Sequence, residues 1–264
     1  MQVEGIQIIQ EEGLTAIIIE DFSKELEDLI RKQLSGIYNG FAEVAEMPEY
    51  FSYPFTLQSF LDRFESKAED TQKGMIGELL GHIMINTFFD QLSSLSVLKN
   101  KEERSIKKGF DIIYYHNIQD NLWYTEIKSG KSEDGSATSN EYNKVLLKRA
   151  NDGIVEMFES GRNSLWESAL VDVKLVVEQG GRRVKMRELL ANQSPVVIPA
   201  DTKRNVILVS VLYHGMSDKI LLSTLKEFYS AMLLEGSFKD VIVISIQKAT
   251  FQKVANFLKT EAQL

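Results

Sequence analysis

The sequence predicts an α/β protein whose sheet is covered by helices on both faces. Three observations carry this. Val206–Tyr213 and Val241–Ile246 are continuous apolar runs, the pattern of strands buried on both sides and not the alternation of a half-solvated sheet. The amphipathic stretch Lys219–Leu234 lies between them, so the end of the chain reads strand, helix, strand. Upstream, Phe110–Tyr115 and Leu122–Lys128 are β-like runs separated by His116–Asn121, whose Asn, Asp and Gln suit a hairpin loop.

The remaining elements follow in order. Ile6 to Ile19 is rich in β-branched residues and interrupted by Glu11–Gly13, which predicts a two-stranded hairpin. Apolar residues then recur at Phe22, Leu26, Leu29, Ile30 and Leu34, a helical spacing whose start either Asp21 or Ser23 can cap. Proline-containing Met47–Phe55 breaks the pattern, and Ser59–Phe64 reads as a short helix. Lys73 to about Phe89 carries a broad apolar stripe of Met75, Ile76, Leu79, Leu80, Ile83 and Met84. Ser129–Asn140 is polar and rich in Gly and Ser, as loops are. Tyr142–Phe158 and Leu165–Val177 are helical patterns, although Leu170–Val177 reads equally as a strand, and Phe251–Leu258 closes the chain.

With 264 residues, 44% of them apolar, the chain can bury a sizeable core. It lacks an apolar run of about 18 residues and a basic-then-apolar leader, so a cytoplasmic protein with no membrane contact is expected. The absence of cysteine excludes disulfides and thiol catalysis, and His82, His116 and His214 are the only imidazoles. A bound metal would therefore be held by oxygen, which selects Mg²⁺, Mn²⁺ or Ca²⁺.

The net charge of −8 is unevenly spread. Residues 1–70 hold 15 acidic and 5 basic side chains, whereas residues 71–264 hold 23 and 25. A boundary near residue 70 thus divides an acidic N-terminal extension (1–70), suited to docking a protein partner, from the main domain (71–264). Basic clusters at Lys99, Lys101, Arg104, Lys107 and Lys108, and at Arg182, Arg183, Lys185 and Arg187, could face phosphate or simply solvent.

The chemistry gathers on the central hairpin. Asp111 opens its first strand, and Glu126-Ile127-Lys128 closes the second. Alternation puts Glu126 and Lys128 on one face and Ile127 on the other. Asp111 joins them only if the hairpin register pairs it opposite Glu126 or Lys128, since a slip of one residue turns it away. Two carboxylates and the backbone carbonyl of Ile127 can hold a hard cation. An ammonium beside them, from Lys128, can orient the attacking water or help deprotonate it and offset transition-state charge in phosphodiester hydrolysis.

An acidic residue on one strand followed by Glu-x-Lys on the next resembles the PD-(D/E)XK nucleases, with Phe110 where their proline stands. Members often add an acidic residue from a helix before the hairpin, and Gly77-Glu78-Leu79-Leu80 matches that element. The combined Gly-Glu-Leu-Leu, Lys108-Gly-Phe-Asp111 and Glu126-Ile-Lys-Ser129 segments most resemble the HamA nuclease subunits of Hachiman anti-phage systems. The resemblance implies a restriction-endonuclease-like core, a mixed central sheet flanked by helices, here with an N-terminal α/β extension. It implies a Mg²⁺- or Mn²⁺-dependent deoxyribonuclease with Asp111, Glu126, Lys128 and Glu78 as catalytic residues. Asp111, Glu126, Glu78 and the Ile127 carbonyl would hold the metal, and a helicase (ATPase) subunit would be the protein partner. The helix after Lys128 has no clear Gln-x-x-x-Tyr element, which separates the chain from the RecB-like exonucleases.

Blander readings compete. Glu-x-Lys is common on exposed strands, and a lone Glu on an amphipathic helix, such as Glu78, is ordinarily surface. Gly130-Lys131-Ser132 resembles the end of a phosphate loop, but Thr125 stands where the earlier glycine is required. His82 reads as a packed histidine, His116 as a turn residue within reach of substrate, and Trp123 and Tyr124 as core. A stand-alone restriction-type endonuclease, or a non-catalytic subunit in which Asp111, Glu126 and Lys128 form a structural ion network, are the alternative functions.

Overall fold

The computed structural model describes residues 2–99, 109–132, 137–199 and 201–263. The basic residues Lys101, Arg104, Lys107 and Lys108 lie outside them. Strands β1 (Ile6–Glu11) and β2 (Leu14–Ile19) form the predicted N-terminal hairpin. Helices α1 (Lys24–Asn39), α2 (Phe41–Glu46), α3 (Tyr53–Glu65) and α4 (Glu69–Phe88) follow, then strands β3 (Leu92–Ser94), β4 (Ile112–His116) and β5 (Asn121–Gly130). Next come α5 (Ser139–Glu159), α6 (Asn163–Val176) and α7 (Gly181–Asn192), and the chain closes with β6 (Asn205–Tyr213), α8 (Leu222–Glu235), β7 (Asp240–Lys248) and α9 (Gln252–Glu261).

The seven strands form one mixed sheet in the order β1-β2-β7-β6-β5-β4-β3. Its centre, β2-β7-β6-β5, is parallel, and antiparallel hairpin partners flank it at either end. The first hairpin leaves one edge of β2 open, and β7 fills it with the pairing Leu14↔Val243 to Ile19↔Lys248, so the N-terminal α/β extension adds two strands to the sheet. Residue 70, where the charge balance changes, lies in the first turn of α4.

Alternation sorts the core into two layers. Ile17, Ile19, Val209, Val211, Ile244 and Ile246 face the side covered by α1, α3, α4 and α9, while Ala16, Ile18, Leu208, Leu212 and Val243 face α5, α6, α7 and α8. Burial of each such aliphatic chain contributes roughly 1.5–3 kcal/mol, which is why the two central strands read as continuous apolar runs.

Several boundaries differ from expectation for local reasons. Of the two cap candidates the structure uses Ser23, which accepts the Leu26 N–H at 3.3 Å, so the first helix starts at Lys24. Phe22 instead packs edge-on against Phe257 of α9 at 5.4 Å. The helix read as Ser59–Phe64 begins six residues earlier, since Pro54 occupies its first turn, where a missing N–H costs nothing. The Leu170–Val177 ambiguity resolves to helix, with Leu165, Trp166, Ala169 and Val173 buried at helical spacing. Helix α7 carries the second basic cluster and had no apolar periodicity to reveal it; Met186 and Leu190 are its buried residues.

Candidate active site

Strand β5 outruns its partner. The ladder with β4 runs from His116↔Asn121 to Ile112↔Thr125, so the β4-side edge of β5 opens at Glu126. The pleat of the incoming chain breaks at the same level: Phe110 packs into the α5 layer, while Ile112, two residues on, packs into the α4 layer. Asp111, at the bend between them, turns its carboxylate across the open edge, and Oδ2 accepts the Ile127 N–H at 2.7 Å. Continuing the ladder places Asp111 opposite Glu126, the register that brings the acid to the Glu-x-Lys pair. A strand residue's N–H and C=O point to the same edge, so the Ile127 carbonyl opens toward Asp111 as well.

Glu126 and Lys128 share the α5 face, as alternation predicts, and Ile127 packs in the opposite layer. Room for the Glu126 carboxylate comes from Gly153 of α5, where a Cβ would lie 3.0 Å from Oε1. Lys128 Nζ donates to Glu126 Oε1, while the other oxygen, Oε2, is buried with no hydrogen-bond partner. Burial, then the Asp111 charge, drive the Glu126 carboxyl far above the ordinary carboxylate range against the pull of Lys128, and Glu78 adds in the same direction. Burial alone would lower the Lys128 ammonium, but the carboxylates of Glu126, Asp111 and Glu78 outweigh it and raise its pKa. Glu126 and Lys128 are therefore each within electrostatic reach of the other three residues singled out in the sequence.

Helix α4 holds Glu78 close to the sheet through two glycines one turn apart. A Cβ on Gly77 would come within 2.5 Å of the Ser129 side chain, and one on Gly81 within 2.7 Å of Ile127 Cδ1, so only glycine permits this approach. Ser129 Oγ and Tyr213 Oη add hydrogen bonds to the Lys73 carbonyl at 3.1 and 3.0 Å.

A family model described as HamA matches residues 7–262, nearly the whole chain. The chain belongs to the HamA family. Membership makes it a component of the Hachiman defence system, and the matched span runs from β1 to the last turn of α9. A comparison with curated proteins finds no match.

Three polar residues of this HamA chain escaped the sequence reading. Across the sheet, Lys128 is in register with Ser210, and Ser210 with Ser245. Both serines are fully buried and close a network with Asn143 of α5: Ser210 Oγ donates to Asn143 Oδ1 at 2.6 Å, and Asn143 Nδ2 donates to Ser245 Oγ at 3.0 Å. The signal was present as one serine at the matching position of each apolar run. Its meaning depends on the register, which a single strand does not reveal.

Other candidates take structural roles. His116 Nδ1 accepts the Gln119 N–H at 3.1 Å and so shapes the hairpin turn, and Trp123 and Tyr124 are core. His82 is fully buried with both ring nitrogens unpartnered. In the α7 cluster, Arg183 donates to the Val177 carbonyl, Lys185 pairs with Asp120 and Arg182 reaches Ser93 Oγ, so three of its four cations already have partners. A cleft of about 760 Å³ between α1, β3 and residues 176–182 touches none of Glu78, Asp111, Glu126 or Lys128.

The donor set suits a hard cation: oxygen ligands, a buried carboxylate oxygen without a partner and like charges crowded against one another. Among the described residues no group of three or more acidic or imidazole side chains is placed so that it could hold a metal ion as it stands. A cation would have to compete with Lys128 for Glu126.

Among the described residues, no helix is long and apolar enough to cross a membrane.

Proposed function

We propose that this HamA-family chain is a Mg²⁺- or Mn²⁺-dependent nuclease that hydrolyses DNA phosphodiester bonds. The observation that carries the reading is the convergence, on one open strand edge, of Asp111, the Glu126–Lys128 pair and the charge of Glu78. Asp111, Glu126, the Ile127 carbonyl and Glu78 would hold the cation. When bound, it would neutralise charge growing on the phosphate and activate a water near neutral pH.

The chain's own groups do the rest. The Ile127 N–H anchors Asp111 so that its carboxylate stays aimed at the Glu126 level. The carboxylates of Glu126, Asp111 and Glu78 raise the pKa of Lys128. Its role would be to orient the attacking water or help deprotonate it and to offset negative charge in the transition state. Among the described residues the β4 ladder ends at Ile112↔Thr125, and the β5 edge beyond it is where substrate would approach these groups.

Cleavage of plasmid and single-stranded DNA with Mg²⁺ or Mn²⁺, and with a chelator as control, tests the reading. Metal-dependent cleavage that Glu126→Gln abolishes supports it; cleavage that persists in that variant removes it. A co-encoded helicase subunit is proposed as the protein partner and a cytoplasmic location as the setting. Co-purification of the two subunits from one operon tests the partner, and its failure would leave the nuclease reading standing.

One observation favours a second reading, a non-catalytic ion network: Lys128 already satisfies one oxygen of Glu126. Calorimetric titration with Mn²⁺ separates the two, since a structural network should bind none.

A further inference from the structure

From the end of α2 into the first turn of α3 three large apolar side chains stand in solvent within nine residues: Met47 at 46% exposure, Tyr50 at 72% and Phe55 at 69%. Single exposed apolar residues are ordinary, but a cluster this tight marks an interaction surface. Tyrosine, phenylalanine and methionine are also the side chains enriched at the centres of protein interfaces.

The segment is held in shape. Phe51 N–H donates to the Met47 carbonyl at 3.0 Å, and Tyr50 packs edge-on against Phe51 at 4.9 Å. Thr56 Oγ1 donates to the Phe51 carbonyl at 3.3 Å and itself accepts from Asn39 Nδ2 at 2.8 Å, both Asn39 and Thr56 being buried. This knuckle is thus ordered before any partner arrives, which lowers the entropy lost on binding.

Its charge selects the partner. From Phe41 to Phe55 the chain contains Glu43, Glu46 and Glu49 and no Lys or Arg. Several carboxylates elsewhere in the acidic N-terminal region are paired within the chain, Glu27 and Asp28 with Arg31, Glu20 with Lys219 and Glu11 with Lys226, while Glu4, Glu12, Glu25 and Asp62 are in no ion pair among the described residues. Among the described residues Glu43, Glu46 and Glu49 have no such cation.

We propose that residues 41–55 form a docking surface for a basic, apolar-anchored segment of a protein partner. Met47, Tyr50 and Phe55 form its centre, and Glu43, Glu46 and Glu49 form its rim. A nucleic acid would be repelled by the three carboxylates, and a second copy of this chain would set like charge against like charge. The inference does not rest on the nuclease reading, and loss of docking in a variant that still cleaves DNA separates the two.

The test uses the full chain and a labelled amphipathic helical peptide of Leu and Lys as the probe, with its Leu and Glu counterpart as control. Fluorescence anisotropy should show binding of the first only. Tyr50→Ser with Phe55→Ser, and separately Glu46→Lys with Glu49→Lys, should each weaken it by about tenfold or more, as for interface hot spots. Hydrogen exchange should slow at residues 41–55 on peptide binding. No binding, equal binding by the variants, or protection confined to other segments would overturn the proposal. So would concentration-dependent self-association of the parent chain that the Tyr50→Ser, Phe55→Ser variant loses.

Discussion

The backbone N–H of Ile127 donates to Asp111 Oδ2 at 2.7 Å and thereby ties the acid before β4 to the middle of the Glu126-Ile127-Lys128 motif. Asp111→Asn keeps an acceptor for that bond but removes the charge. The variant should fold, with a melting temperature within a few degrees of the parent for a loss of under about 1 kcal/mol. It should also lose Mn²⁺ affinity and cleavage together. Metal binding by calorimetry at parental strength would show that Asp111 is not a ligand.

Glu126→Gln and Lys128→Met remove, respectively, the buried carboxylate and the ammonium that pairs with it. Cleavage should drop by roughly 10²–10⁴-fold in each, the range expected when a group acting on the reacting water is lost. Steady-state rates on plasmid DNA at saturating Mg²⁺ decide the matter. A variant within tenfold of the parent would exclude that residue from the chemistry.

Two glycines of α4 make a matched pair for the packing that brings Glu78 in. Nothing lies within 4 Å of a Cβ on Gly74, whereas one on Gly77 would meet the Ser129 side chain at 2.5 Å. Gly74→Ala should stabilise by about 0.5–1 kcal/mol, the usual gain for alanine in a helix. Gly77→Ala should destabilise by about 1–3 kcal/mol through overpacking and reduce cleavage by shifting α4. Urea denaturation of both measures the contrast, and equal effects would contradict the close approach.

His82 makes acid stability specific. Burial lowers its pKa from 6.5 to about 3, so between those values the unfolded chain binds a proton that the native state refuses. Stability present above pH 6.5 is therefore lost as pH falls toward 3, by about 2 kcal/mol at pH 5 for a group this buried. His82→Leu should flatten the difference between denaturant midpoints at pH 7.5 and pH 5. An unchanged difference would assign the acid sensitivity to other groups.

The alternation of Glu126 and Lys128, the apolar runs of β6 and β7 and the N-terminal hairpin were legible because each depends on residues adjacent along the chain, and a strand's period of two is local physics. Helix α7 was missed because its buried set is only Met186 and Leu190, too sparse to write a period. Within the acidic extension that the sequence suited to partner docking, Glu27 and Asp28 prove to be paired with Arg31, itself held by Glu261 at the far end of the chain, whereas Glu25 has no cation among the described residues and accepts the Glu4 N–H. Glu43, Glu46 and Glu49 have no such cation among the described residues, and no count of charges along the sequence could have told paired carboxylates from unpaired ones.

By itself the sequence determined the layered α/β class, and it singled out Glu78, Asp111, Glu126 and Lys128 as one candidate set. Tertiary structure alone decided that they meet. The meeting requires β4 to stop at Ile112 while β5 runs on to Gly130, a broken pleat at Asp111, and Gly77 and Gly81 seating α4 on β5. Each of these is a contact between segments distant in the chain, and the free energy that selects it comes from burying the two core layers together, a quantity no local pattern of residues contains.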